Sequence, residues 1–161
     1  MLRTMAGTLP WAVVLVAAGG GTWWLLSREI AGGRWLLAAL LIGHGLVHLL
    51  FAVPAAASES GSGQWPFDID RSWAITAGHL GTATVRLVAT ILIAITVGGF
   101  VLAGLASLGV AVPANWWAPL VTVAAIASMA LLVVCFDPQL VLGMGIDAIL
   151  LWIAATRAWM P

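Results

Sequence analysis

Five apolar runs of roughly 20 residues or more, separated by short stretches that hold most of the charge, leave this chain one workable architecture. A backbone inside lipid has no water to bond to, so it must satisfy its own N–H and C=O groups, and a helix does so within one segment. The runs extend over about Leu9–Leu26, Trp35–Ala57, Trp73–Leu108, Trp116–Phe136 and Leu140–Trp159. They predict an all-α, polytopic membrane helix bundle of about five transmembrane helices, built as a single integral membrane domain over residues 1–161. Composition points the same way. Of the 161 residues, 63% are hydrophobic and 7% charged, too little polar surface for a soluble globule of this size.

Turn signals separate the runs: Arg28 to Arg34 with Gly32 and Gly33, the long Ser58 to Arg71 stretch, Pro113-Ala114-Asn115, and Asp137-Pro138. The first run follows Arg3 and is interrupted by Gly19-Gly20-Gly21, which gives it some likeness to a signal peptide. Cleavage after Ala18 would strand Trp23, Trp24, Leu25 and Leu26 at a new terminus, so an uncleaved helix is expected. The third run is too long for one upright span. A strong tilt absorbs the excess, as does a short helix around Ala74 to Ala83 that bends near Gly78 or Gly81. Asp70 or Ser72 is the expected cap of this third segment, and Trp65-Pro66-Phe67 reads as an interfacial wedge over the bundle mouth.

Arginine placement sets the expected orientation. Arg28, Arg34 and Arg157 fall on one side of a five-span arrangement. Arg3 and Arg71 fall on the other, with Glu59, Asp68, Asp70 and Asp137. The first side is then cytoplasmic, which puts the N-terminus and the 58–72 loop outside and the C-terminus inside a cell (inner) membrane. Most of the ten tryptophans lie near span ends, where amphipathic rings favour the headgroup region. Lysine is absent, which excludes Schiff-base chemistry on this chain, and the Arg-only, Ala/Gly/Val-rich usage suggests a bacterial source. With one cysteine, Cys135, the chain has no intrachain disulfide, Cys-ligated zinc site or iron–sulfur cluster. No basic tract or nucleotide-binding motif is present. The expected partners are therefore the lipid bilayer and other membrane subunits or further copies of the chain, and not nucleic acid.

Against this background a few ionisable residues stand inside the apolar runs: His44 and His48, His79 and Arg86, and Asp147. Charged or protonatable groups are expensive in a bilayer, so they turn inward and are put to use. His44 and His48 are four apart and share a helix face. At a rise of about 1.5 Å per residue, His48, His79 and Asp147 converge on one layer in the outer half of the membrane. The third run also carries a polar strip of Thr76, His79, Thr82, Arg86 and Thr90. Gly43 and Gly45 beside the histidines leave room either for a porphyrin or for close helix approach.

Three functions fit that pattern. His44, His48 and His79, with Asp147 as a fourth ligand, suit a metal ion (Zn, Fe or Cu), and His48 with His79 suits the two axial positions of a b-type haem, for redox or metal-assisted chemistry. In that reading Asp147 competes between the metal and an ion pair with Arg86. The second function is a proton-relay or small-ligand transport and binding subunit built on the same residues. The third is a structural accessory subunit in which they specify helix packing. No catalytic residue follows from the sequence.

Overall fold

A computed structural model describes residues 32–53 and 66–156. The described chain forms helices α1 (Gly32–Val47), α2 (Trp73–Thr76), α3 (Thr82–Leu108), α4 (Trp117–Val134) and α5 (Val141–Thr156). Short 3-10 turns at His48–Ala52, Ala114–Trp116 and Pro138–Leu140 extend α1, α4 and α5. Among the described residues, four helices are long and apolar enough to cross a membrane: Gly32–Ala52, Thr82–Leu108, Ala114–Val134 and Pro138–Thr156. The expected first span, 9–26, lies outside the described residues, as does most of the 58–72 loop.

Local chemistry accounts for the boundaries. The α1 segment ends at Val53, which is extended (φ −83°, ψ 120°) ahead of Pro54, whose ring disfavours helix in the residue before it. The third apolar run does not form one helix. Ser72 caps α2 by accepting from the Ala74 N–H at 3.2 Å, as expected for a serine before a helix. One turn later the chain leaves the helix: the Leu80 N–H returns to the Ala74 carbonyl and His79 takes a left-handed conformation (φ 52°), a helix-ending turn in which glycine is the usual residue. Helix α3 then starts afresh at Thr82. Its 27 residues, about 40 Å, end at Gly109, left-handed at φ 68°, with Val110 N–H bonded to the Leu105 carbonyl. A short helix and bend before the main span is thus how the excess length is absorbed.

The long helices alternate in direction. The connection before α3 is tied to the C-terminal end of α4, where Ser72 Oγ donates to the Val134 carbonyl at 2.5 Å and Trp73 Nε1 to the Val133 carbonyl at 2.6 Å. One end of the bundle therefore carries Val53, residues 66–81 and the Cys135–Leu140 turn; it is called the loop end below. Helix α3 packs against α1 and α4, and α4 against α5. Close approach comes from small residues. A Cβ added at Gly104 would fall 2.7 Å from Ile42 Cγ1 and 3.1 Å from the Ala38 carbonyl.

Leu41, Phe100, Trp117, Val121 and Ile153 fill the core on the side away from the loop end. A second cluster, with Phe51, Ile93, Leu131 and Leu140, lies toward the loop end. The outward faces are also apolar. Leu87, Ile91, Ile95 and Leu102, spaced four, four and seven apart along α3, form one exposed stripe. A bundle that is apolar inside and out suits a lipid solvent.

Candidate functional site

Four side chains from three helices meet within the bundle, on the loop-end side. Asp147 of α5 is fully buried, at 0% exposure, and both of its oxygens are engaged. His44 Nε2 lies 2.9 Å from Oδ1, and Ser128 Oγ of α4 donates to Oδ2 at 2.5 Å. The same Ser128 oxygen is 2.8 Å from His48 Nε2. The other nitrogen of that ring, His48 Nδ1, is 3.0 Å from the His44 carbonyl; a carbonyl only accepts, so Nδ1 carries a proton and donates. The result is a continuous hydrogen-bonded chain, His44–Asp147–Ser128–His48.

The helices deliver these groups to one layer. Ser128 stands six residues before the end of α4 and Asp147 six after the start of α5, each about 9 Å from the loop end. His48 is the first residue of the 3-10 turn that closes α1, and His44 lies one turn deeper. Apolar walls surround the chain. Phe100 meets the His44 ring edge-on at 5.0 Å, and Phe51 stacks over His48 at 6.5 Å. Gly45 makes the first of these contacts feasible, since a Cβ there would lie 2.9 Å from Phe100 Cβ, whereas one at Gly43 would meet nothing within 4 Å. Of the two glycines only Gly45 serves close helix approach.

The structure brings together His44, His48 and Asp147 and does not bring in His79. That residue is exposed in the turn between α2 and α3, while His48 is 3% exposed. The expected His48–His79 pair assumed that the third run was helical from Trp73 onward, which would have carried His79 to the depth of His48. The break after Thr76 removes that register. Among the described residues no group of three or more His, Cys, Asp or Glu is spaced to hold a metal ion.

The expected Arg86–Asp147 ion pair is corrected for the same reason. Arg86 sits in the second turn of α3, near the loop end, and is exposed. It makes a bidentate pair with Asp70, Nε to Oδ1 at 2.8 Å and Nη2 to Oδ2 at 2.5 Å. This bonding holds the Asp70 carboxyl below the usual carboxylate range. The polar strip likewise dissolves into local contacts. Thr76 Oγ1 donates to the Ser72 carbonyl at 3.1 Å, Thr90 Oγ1 to the Arg86 carbonyl at 2.8 Å, and Thr82 is exposed as the first residue of α3.

Ser128 is the member that the sequence reading missed. The available signal was a hydroxyl in an 18-residue helix with no ionisable side chain, where a polar group facing inward needs a partner. Two other buried polar atoms, Thr96 Oγ1 and Trp117 Nε1, have no hydrogen-bond partner among the described residues. Compared with known proteins, the chain matches no family model, no curated protein and no solved structure.

Proposed function

We propose that this chain is a small multi-pass protein of a bacterial inner membrane, with its N-terminus outside and its C-terminus in the cytoplasm, and that its working part is a proton-accepting site formed by His44, Asp147, Ser128 and His48. It would serve as a proton-coupled binding or transport subunit. The observation that carries this reading is Asp147, fully buried with both oxygens bonded, one to a histidine and the other to a hydroxyl that reaches a second histidine. Chains of carboxylate, hydroxyl and imidazole groups inside a membrane are the usual material of proton pathways. A metal or haem on His48 would require releasing it from Ser128 or from the His44 carbonyl, and using His79 would require carrying an exposed turn inward. The proton reading requires neither movement.

The test is proton movement across proteoliposomes containing a trapped pH-sensitive dye, driven by an imposed potential. Wild-type protein should acidify or alkalinise the lumen faster than protein-free vesicles, and Asp147→Asn should bring the rate down to the protein-free level. Asp147→Asn keeps the size and a hydrogen-bonding group, so its melting temperature in detergent should stay close to wild type. A wild-type rate equal to that of empty vesicles overturns the transport reading and leaves the network as a packing device.

A further inference from the structure

We infer that the site holds one proton shared between Asp147 Oδ2 and His48 Nε2, passed through the Ser128 hydroxyl, and that His44 is its one outlet. This deepens the proton-accepting reading and rests on it for its functional meaning, but its chemistry stands on the hydrogen bonds alone.

Ser128 Oγ has one hydrogen and two close neighbours, Asp147 Oδ2 at 2.5 Å and His48 Nε2 at 2.8 Å, so it donates to one and must accept from the other. If it donates to Asp147, His48 Nε2 must bear a proton. Nδ1 already does, because it donates to the His44 carbonyl. His48 is then an imidazolium and Asp147 a carboxylate. If Ser128 instead donates to His48, Oδ2 must bear the proton, and both residues are neutral. The two arrangements contain the same atoms. They differ by moving one proton from Oδ2 to Oγ while the hydroxyl proton moves from Oγ to Nε2.

A third arrangement, with Asp147 ionised and His48 neutral, fails. It sets Oγ lone pairs against either the carboxylate oxygen or the bare Nε2, so one of the two contacts would have to open. The pair His48 and Asp147 therefore keeps a net charge of zero as long as the four-residue chain is closed and Oδ1 carries no added proton. That is the arrangement a low-dielectric bundle favours.

The outlet follows from which nitrogens are committed. Both of His48's are used, and His44 Nε2 faces Asp147 Oδ1. Of the four ring nitrogens of His44 and His48, only His44 Nδ1 is left without a hydrogen bond among the described residues, on a side chain that is 12% exposed while that of Asp147 is 0%. A proton arriving on His44 Nδ1 lets Nε2 release its own to Oδ1, and departure reverses this. At the other end the His44 carbonyl takes a hydrogen bond but cannot pass a proton on. In this arrangement the chain opens to one side only, so flux across the bilayer needs the site to open in turn to the other side. Among the described residues no other titratable side chain faces it: α4 has none, α5 has only Asp147, and Arg34 of α1 and Arg86 of α3 sit near the starts of their helices, Arg86 paired with Asp70.

The experiment is nuclear magnetic resonance of the full chain in lipid nanodiscs at neutral pH, with ¹⁵N-histidine and ¹³C-aspartate labels and a His79→Asn background to simplify assignment. Expected is His48 with a protonated Nδ1, and either an imidazolium beside ionised Asp147, a neutral ring beside protonated Asp147, or their fast-exchange average. Ser128→Thr should retain this pairing. Ser128→Ala should abolish it, and His44→Gln should slow exchange of the shared proton with water at least tenfold. A bare His48 Nδ1, or a neutral His48 beside an ionised Asp147 in wild-type protein, overturns the inference. The wild-type spectrum is decisive even if a variant misfolds. A shared proton without vesicle flux would sink the transport reading alone.

Discussion

His48 and His79 are the same residue type with opposite fates, and the difference is set by backbone position rather than by ring chemistry. His48 is held by two hydrogen bonds inside the bundle. His79 supplies a left-handed turn at φ 52°. An L-residue there costs roughly 1–2 kcal/mol relative to the right-handed region, less for residues whose side chains bond locally, and most for β-branched ones. The expected outcome is asymmetric. His79→Gly should leave detergent stability within about 0.5 kcal/mol of wild type, the relief of strain being offset by backbone entropy. His79→Val should lower it by about 1 kcal/mol or more. Chemical-denaturant unfolding followed by tryptophan fluorescence measures both. An equal, large loss from the two variants would instead mark the imidazole itself as necessary.

At the level of elements, the instructive segment is the connection that precedes α3. Its helix, turn and cap devices were legible in part: Ser72 as a cap and a bend near Gly78 follow from residue type. What could not be read was where helix resumes, because the Thr-rich stretch after Gly81 is periodic enough to continue a helix or to begin one. That ambiguity moved Arg86 from mid-membrane to the loop end and exchanged its partner from Asp147 to Asp70. The exchange is testable through pH. A carboxylate whose folded pKa is depressed stabilises the fold above its unfolded value and loses that contribution as pH falls through the lower folded value. Asp70→Asn should therefore lower the melting temperature slightly at pH 7, and the difference from wild type should vanish on acidification below the ordinary Asp range. It should also shrink in high salt, since the pair is exposed. A deficit that persists at pH 2 would mean that Asp70 acts through its contacts with the backbone rather than through Arg86.

For the whole molecule, apolar run length was enough to give the class, because lipid allows few architectures and each run of sufficient length forces a helix. The site was legible in three of its four residues. His44, His48 and Asp147 were conspicuous as ionisable groups in apolar surroundings, whereas Ser128 is chemically ordinary and gains its place only from the packing of α4 between α3 and α5. Sidedness is the remaining property of the whole chain, and it decides which compartment the proton store answers to. In the orientation expected from the sequence, Arg28, Arg34 and Arg157 fall on the side opposite the acidic 58–72 loop, so that loop and the mouth nearest Asp147 should face outward. Cys135 supplies the blank for a labelling test. Burial first, and the nearby Asp68 carboxylate second, push its thiol up to about 11, so at neutral pH it stays a thiol and reacts slowly. Wild-type cells treated with a membrane-impermeant thiol reagent should leave the protein unlabelled, and Ser62→Cys should be labelled without lysis. Labelling of Ser62→Cys only after the cells are broken would reverse the orientation and turn the His44–Asp147 site toward the cytoplasm.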